Sequence, residues 1–514
     1  MRRTSVTSPD ILLIMADQLN GTLFPDGPAP WLHAPNLSHL AERSVRFANC
    51  YTASPLCAPG RSAFMTGCLP SRTGVYDNAA EFASSIPTYA HLLRRAGYRT
   101  CLTGKMHFVG ADQLHGFEER TTTDIYPADF GWTPDYENPH ERIDWWYHNL
   151  GSVTGAGIAE ITNQMEYDDE VAHNARQWLH QRARERDDID RRPWALTVSF
   201  THPHDPYVTR RRYWDLFANC EHLLPEIGPL PFAEHDAHGQ RLLESFDYRL
   251  FPIMDEDVAR SRRAYFANIA YLDDLIGSLF RVLEDTGQDD ATVIFASDHG
   301  DMLGSHGLWF KMSFREGSAR VPLMIAAPGF APATTEEPVS LLDVLPTLND
   351  LAGVGPVDMA LDGETLLPIM DGGASRSQPV PMEYAAEASV APMVALRVGD
   401  HKLIRCEADP QQLFDLSADP HELTNIADDP AYAETLERLS EEIDRKWNLT
   451  EFDRAVRTSQ GRRHLVYEAL GQGTRWPWDF HPVQDAANRY MRNHMDLNVL
   501  EERNRYPRRI QPGP

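Results

Sequence analysis

Four apolar runs punctuate the chain: Ile11 to Ala16 (ILLIMA), Ala195 to Phe200 (ALTVSF), Thr292 to Ala296 (TVIFA) and Pro322 to Ala327 (PLMIAA). Apart from Thr197, Ser199 and Thr292 they hold no polar residue, so each reads as a strand buried on both faces, as in a parallel sheet covered by helices. Between them, Ile269, Leu272, Ile276, Leu279 and Leu283 recur at threes and fours, and so do Val171, Ala175, Trp178 and Leu179. Each set makes one apolar helical stripe. The pattern predicts an α/β fold. The first three runs each end in a polar burst: Asp17-Gln18, THPHDP and SDHGD. Ligands bind outside the carboxyl ends of such strands, so the bursts predict one composite site. No G-x-G-x-x-G or G-x-x-x-x-G-K-[ST] loop supports nucleotide binding.

A chain of 514 residues exceeds what one core usually serves, so a large domain and a smaller one are expected. After about residue 375 the alternation stops. MVALRVGDHKLIRC and QQLFDL read as short antiparallel strands, followed by a helix from about Pro430 to Trp447. The expected segments are 1–375, a catalytic domain; 376–448, a small antiparallel sheet with a helix; and 449–514, an extension contacting a neighbouring subunit. A net charge of −27 argues against nucleic acid and anionic membranes, and suits a ligand that carries a positive charge. The N-terminal apolar run is too short for a signal peptide or a membrane span. Six scattered cysteines without a Cys-x-x-Cys pair predict neither a disulfide framework nor a zinc ribbon, and a cytoplasmic location is expected.

Asp17, Gln18, Asp298 and His299 supply carboxylates, an amide and an imidazole at two strand ends. Such a set suits a hard divalent cation, calcium or magnesium, with manganese open through the imidazole. GKMHFVG places Lys105 and His107 two apart, on one side if the segment is extended. THPHDPY does the same for His202 and His204, and Lys311 follows in LWFKMSF. Each alone has an ordinary structural reading: a turn, a satisfied histidine, an exposed lysine. Together with Arg61 they outline an anion site of the kind that phosphoryl or sulfuryl transfer requires. Cys57, in SPLCAPGRSAFMTG, is a turn residue, a thiolate nucleophile or the precursor of another group. A thiolate sits poorly on a hard cation.

CAPGRSAFMTG resembles the sulfatase signature C-x-P-x-R with its following Phe-Met-Thr-Gly. SDHGDMLGSHGLWFK, EGSARVPLMIAAPG and LFDLSADPHELTNIADDP resemble further sulfatase blocks in the family's order, over roughly residues 10 to 450. The resemblance implies an alkaline-phosphatase-like fold: a large mixed sheet between helices, then a small C-terminal α+β subdomain. It implies that a formylglycine-generating enzyme oxidises Cys57 to formylglycine, whose hydrate attacks sulfur. Asp17, Gln18, Cys57, Asp298 and His299 would hold one divalent cation, Ca2+ by preference over Mn2+ or Mg2+. Arg61 and Lys105 would hold the diol, His204 and Lys311 would protonate the leaving alcohol, and His107 would be the base that releases sulfate. Three positions depart from the commonest pattern. Gln18 and His299 stand where many members have aspartate and asparagine, a pair shared with phosphonate monoester hydrolases as well as choline sulfatases, and Gly60 stands where serine or alanine is usual.

A narrower resemblance, to the choline sulfatase branch, lies in YDNAAEFASSIPTYAHLLRRAGY, TTDIYPADFGWTPDY, ERIDWWYHNLGSVTGAGIAEITNQMEYDDEV and the tail YMRNHMDLNVLEERNRYPR. Trp132, Trp145, Trp146 and Tyr147 cluster among acidic residues, as quaternary ammonium recognition requires, although a tryptophan pair also serves plain core packing. The resemblance points to Asn78, Trp132, His148 and Glu387 (in preference to Glu383) as pocket residues. It has the tail reaching into a neighbouring subunit, with Asp496 near that subunit's substrate, in a homo-oligomer, by preference a tetramer. The expected reaction is hydrolysis of choline-O-sulfate to choline and sulfate. The alternatives are a formylglycine-dependent phosphonate monoester or phosphodiester hydrolase, and a non-catalytic binder of quaternary ammonium solutes.

Overall fold

Strand β1 (Ile11–Asp17) runs through the interior of an eight-stranded sheet, and all seven of its residues are buried. The computed structural model describes residues 9–138, 148–189, 191–373, 375–483 and 495–507. The other strands of the large sheet are β2 (Val45–Phe47), β3 (Arg99–Gly104), β4 (Glu119–Arg120), β5 (Trp194–Pro203), β6 (Thr292–Ser297), β7 (Leu323–Ala326) and β8 (Ala333–Thr335). Their order is β8-β2-β7-β6-β1-β5-β3-β4. β1 is parallel to β5 and β6, with Ile11 opposite Ala195 and Thr292, whereas β7 is antiparallel to β6. The sheet is therefore mixed. The shared register brings the polar residues after β1, β5 and β6 to one edge.

Alternation along β1 splits its side chains between two cores, as a strand between helical layers must. Leu12, Ile14 and Ala16 pack with α2 (Asn163–Arg184) and α3 (Asp255–Asp285), while Ile11, Leu13 and Met15 pack with Phe64 and Met65 of α1 (Cys57–Thr66). Both apolar stripes expected from the sequence face the first core. Burying each large aliphatic side chain contributes roughly 1.5–3 kcal/mol, enough to hold Asp17, a costly residue to bury, at the end of the same strand.

A four-stranded antiparallel sheet follows: β9 (Val380–Tyr384), β10 (Met393–Val398), β11 (His401–Cys406) and β12 (Asp409–Asp415). Met382 and Tyr384 belong to the same apolar cluster as α3, and α4 (Ala433–Lys446) covers the sheet with Leu439 and Ile443. Then come α5 (Leu449–Leu470) and α6 (Leu497–Asn504). Asn448 caps α5 by accepting the Glu451 N–H. The sequence reading assigns α5 no structure, because its buried positions are Leu449, Phe452, Val456, Gln460 and Arg463. Their spacing is helical, but two of the five are polar and break the hydrophobic signal. Among the described residues no helix is long and apolar enough to cross a membrane.

Candidate active site

The edge formed by the carboxyl ends of β1, β3, β5 and β6 collects Asp17, Lys105, His204, Asp298 and His299, and Cys57 opens α1 against them. Cys57 Sγ lies 3.2 Å from His299 Nε2, 3.4 Å from Lys105 Nζ, 3.5 Å from Lys311 Nζ and 3.8 Å from Asp17 Oδ1. One ligand atom from each of Asp17, Cys57, Asp298 and His299 falls within 4.8 Å of the others, and all four residues are buried. Two carboxylates and an imidazole fit a hard divalent cation, and Sγ stands where an oxygen of an oxidised Cys57 would complete the set.

Gln18 is turned away from this group. Its Nε2 donates to Asp301 Oδ2 at 2.7 Å and Asp205 Oδ1 at 3.2 Å, which directs Oε1 to Lys311 Nζ at 2.8 Å. Its contribution to the four is through the main chain: at φ 63° its N–H donates to Asp298 Oδ1 at 3.1 Å. Two carboxylates claim the amide nitrogen, and so the carbonyl oxygen expected to be a fifth ligand faces a lysine.

Arg61 braces the ligands. Its Nε donates to Asp298 Oδ2 at 2.7 Å, and its Nη1 donates to the Lys105 carbonyl at 2.6 Å and Ser199 Oγ at 2.8 Å. Lys105 Nζ pairs with Asp17 Oδ2 and lies 4.3 Å from the centre of the Tyr126 ring. Burial opposes ionisation of Asp17, but Lys105 and its neighbours outweigh it and hold the carboxyl at about 2. Burial likewise pushes the Cys57 thiol up, and Lys105, Lys311 and His299 bring it well below its ordinary range. The cluster favours an anion at position 57.

Gly60 explains how α1 approaches so closely. A Cβ there would lie 2.8 Å from the Ser54 carbonyl oxygen and 3.1 Å from that of Asp298. Glycine at this position lets the helix backbone pack against the strand end that carries the ligands.

His204 and Lys311 face the cluster as a pair. His204 Nδ1 lies 2.6 Å from the Asp205 carbonyl oxygen and so donates to it, leaving the Nε2 lone pair to meet Lys311 Nζ at 2.7 Å. Burial opposes ionisation of Asp205, but His204 and His148 hold its carboxyl well below the carboxylate range. His202 faces elsewhere: its Nδ1 lies 2.6 Å from Asp168 Oδ2, and Asp168 also accepts the N–H groups of Thr201 and His202. Lys105 and His107 do reach one cleft, but not through an extended segment. His107 has φ 55°, and Asp124 Oδ2 pins the turn by accepting the N–H of Met106 at 3.0 Å and of His107 at 2.8 Å.

Beside the cluster is a small hollow with about 240 Å³ free of atoms, lined by Cys57, Asn78, Tyr126, Trp132, His148, His204 and Lys311. Trp132 is 4 % exposed, with its ring 5.7 Å from that of His107 and 5.4 Å from that of Tyr126. Asn78 Oδ1 accepts the Ala58 N–H at 2.9 Å, fixing the hollow to the start of α1. Burial and the charge of Lys311 lower the His148 imidazole to about 4. The two glutamates of MEYAAEASVAP separate cleanly. Glu383 accepts from Ser71 N, Ser71 Oγ and Trp447 Nε1, a closed structural set. Glu387 is only partly buried as a residue, yet both carboxylate oxygens are shut off from solvent and have no hydrogen-bond partner. Burial, then the charge of Asp77, raise it to about 8.

Trp145, Trp146 and Tyr147 lie outside the described residues. Asp496 is exposed and caps α6 by accepting the N–H groups of Asn498 and Val499, so within its own chain it is no part of the hollow. The sequence reading misses Tyr126, Asp124, Asp205 and Asp301, all of which touch or brace the cluster. Asp205 and Asp301 lie in THPHDP and SDHGD, two bursts already singled out, and Asp124 and Tyr126 lie in TTDIYPADFGWTPDY, quoted above for its resemblance but not for these two residues.

A buried ligand set beside an acidified residue at a helix start, on a mixed sheet between helices, defines an ester hydrolase of the alkaline-phosphatase-like class. The family model described as sulfatase matches residues 9–354, that for the choline sulfatase enzyme C terminal matches 454–506, and that for the N-sulphoglucosamine sulphohydrolase C terminus matches 304–448. The chain belongs to the sulfatase family. It is 64% identical to a choline-sulfatase of Rhizobium meliloti over 97% of this chain and 99% of that protein. It is 27% identical to a multifunctional alkaline phosphatase superfamily protein of Trinickia caryophylli, over 88% of this chain and 97% of that one. The phosphonate monoester hydrolase from Silicibacter pomeroyi shares the fold, with TM-score 0.68 at 22% identity over 85% of this chain and 95% of that one.

Proposed function

We propose that this sulfatase hydrolyses choline-O-sulfate to choline and inorganic sulfate, using a nucleophile made from Cys57 by oxidation to formylglycine. The observation that carries the substrate is Glu387. Its carboxylate has no partner of its own, and it stands close enough to Lys311 and Cys57 for their charges to act on its ionisation. A trimethylammonium group needs a carboxylate and aromatic faces, and it cannot supply hydrogen bonds. Trp132 and Tyr126 provide the faces. The 64% identity over nearly the whole chain to a choline-sulfatase supports the same substrate.

A divalent cation, Ca2+ in this reading, would be held by Asp17, Asp298, His299 and the converted residue 57, with Gln18 at its edge, and would supply Lewis-acid stabilisation of developing negative charge. The chain's own groups do the rest. Lys105 and Arg61 fix the carboxylates and neutralise the sulfate. The oxygen that attacks sulfur displaces the choline oxygen, which takes its proton from the His204–Lys311 pair as the S–O bond breaks. His107 then removes the proton whose loss returns residue 57 to the aldehyde and frees sulfate. Asn78 and His148 close the hollow around the ester.

A second reading, phosphonate or phosphodiester hydrolysis, is kept open by Gln18 and His299, a pair that the resemblance gives to phosphonate hydrolases as well as to choline sulfatases. Steady-state turnover of choline-O-sulfate against a phenyl phosphonate ester, with aldehyde at residue 57 quantified by peptide mass spectrometry, decides between them. Choline sulfate is expected to win by kcat/KM, and preference for the phosphonate overturns the proposal. The tail, with Leu497 at 51% and Val499 at 57% exposure, supports a homo-oligomer, by preference a tetramer, which sedimentation equilibrium tests. The free cysteines suit a reducing cytoplasm.

A further inference from the structure

Helix α5 lies outside the residues matched by the sulfatase model and overlaps those matched by the choline sulfatase C-terminal model. Its buried face nevertheless reaches both walls of the hollow. Arg463, 5% exposed, forks onto Asp77 with Nη1–Oδ1 at 2.7 Å and Nη2–Oδ2 at 2.6 Å, and Nη1 also donates to Thr133 Oγ1 at 3.0 Å. Asp77 precedes Asn78, and Thr133 follows Trp132. A single planar guanidinium thus ties together the neighbours of two lining residues, in the geometry that a lysine cannot reproduce. One turn earlier, Gln460 Oε1 accepts the Tyr136 N–H at 3.1 Å, and Arg457 Nη2 donates to the Val390 carbonyl at 3.0 Å, three residues from Glu387.

The charge matters as much as the geometry. Asp77 is fully buried and acts on Glu387 strongly enough to rank next after burial in raising it. Arg463 offsets part of that charge, and the carboxylate of Glu387, unlike that of Asp77, has no partner of its own. Unpaired, Asp77 would be a second buried anion with no counter-charge to fix it in place.

We infer that Arg463 is the positioning residue of the ammonium end of the pocket. This rests on the choline reading. It holds Asn78 and Trp132 at their spacing and offsets part of the charge of Asp77, so α5 rather than the large sheet sets which ester is preferred. Arg463 itself bonds to Asp77, Thr133 and Ser459, none of them among Lys105, Lys311 and His299, which face Cys57.

The test compares choline-O-sulfate with 4-nitrophenyl sulfate in the full-length wild type, Arg463→Met and Arg463→Lys, with rates normalised to aldehyde content at residue 57. The ratio of kcat/KM for the choline ester to that for the aryl ester is expected to fall about tenfold or more in Arg463→Met, chiefly through KM of the choline ester. Arg463→Lys, which keeps charge without the fork, is expected to recover only part of the ratio. A ratio unchanged in Arg463→Met, with both substrates losing equally or neither losing, overturns the inference, and so does full recovery by lysine. A wild type indifferent to choline overturns the substrate reading first and this inference with it. Should Arg463→Met fail to fold, the neutral pair Asp77→Asn/Arg463→Gln keeps the packing and is held to the same ratio.

Discussion

Lys311 Nζ lies 2.7 Å from His204 Nε2, and because His204 Nδ1 is committed to the Asp205 carbonyl, the two nitrogens hold one proton between them. Both are buried beside Cys57. A proton held between two bases can follow whichever oxygen becomes more basic, which is what an alkyl leaving group needs and an aryl one does not.

Replacing Lys311 or His204 by alanine is therefore expected to lower kcat for choline-O-sulfate by about 10² to 10⁴-fold, the usual worth of general acid catalysis. Turnover of 4-nitrophenyl sulfate, whose phenolate leaves unaided, should fall far less. Equal losses on the two substrates would assign the pair to sulfate binding instead.

Glu387 makes a pH-dependent prediction. Its folded pKa of about 8 exceeds the 4.5 of an unperturbed glutamate, so between these values the native state binds the extra proton. Its contribution to the stability of the ligand-free protein thus falls as pH rises through that window, and Glu387→Gln removes that share, leaving those of Glu383, Asp273 and Asp301, which burial raises as well. Besides Asp77, the charges acting on it come from Lys311 and Cys57, and the Tyr384 hydroxyl bonds its carbonyl. Choline, which needs the ionised form, should bind more weakly as pH drops below about 8 in wild type and show no such trend in Glu387→Gln. Product inhibition by choline across pH measures this. The same variant should lose discrimination between choline sulfate and its uncharged isostere, 3,3-dimethylbutyl sulfate.

Cys57→Ala should abolish turnover while leaving the fold intact, and chelation of divalent cations should inactivate wild type reversibly. Activity measured by sulfate release, alongside circular dichroism, tests both. Full activity in protein whose Cys57 peptide still has the mass of a free thiol would remove the oxidised residue from the mechanism.

Gly60→Ala places a Cβ 2.8 Å from the Ser54 carbonyl oxygen, so backbone must move. Overpacking of this kind costs typically about 1–3 kcal/mol, and a lowered Tm is expected together with reduced kcat, because the displaced segment carries Cys57. An unchanged Tm would show that α1 has room that the distances deny.

Much of the site is legible in the linear order of residues, because strand ends are marked by abrupt change from apolar to polar. Asp17 ends β1, Asp298 and His299 follow β6 and His204 follows β5, and a parallel sheet aligns such ends whatever the intervening chain does. The signature around Cys57 is likewise local, since CAPGRSAFMTG is one unbroken segment. Four of the eight strands of the large sheet and two of its covering helices are read from the apolar pattern, and the mixed sheet as a whole from the sulfatase resemblance. Other features were decided only in three dimensions. Gln18 turns to Lys311 because Asp205 and Asp301, 187 and 283 residues away, claim its nitrogen. His202 and His204 share a motif but part company, because Asp168 captures one ring and Lys311 meets the other. Glu383 and Glu387 sit four apart, and it is Ser71 and Trp447 that satisfy the first while leaving the second bare. Arg463 is invisible as a site residue, since nothing in its neighbourhood of sequence announces that Asp77, 386 positions earlier, will be its partner. Hydrophobic burial is read from short-range pattern, whereas the pairing of buried charges depends on which distant group arrives within three ångströms, and that is a property of the folded chain.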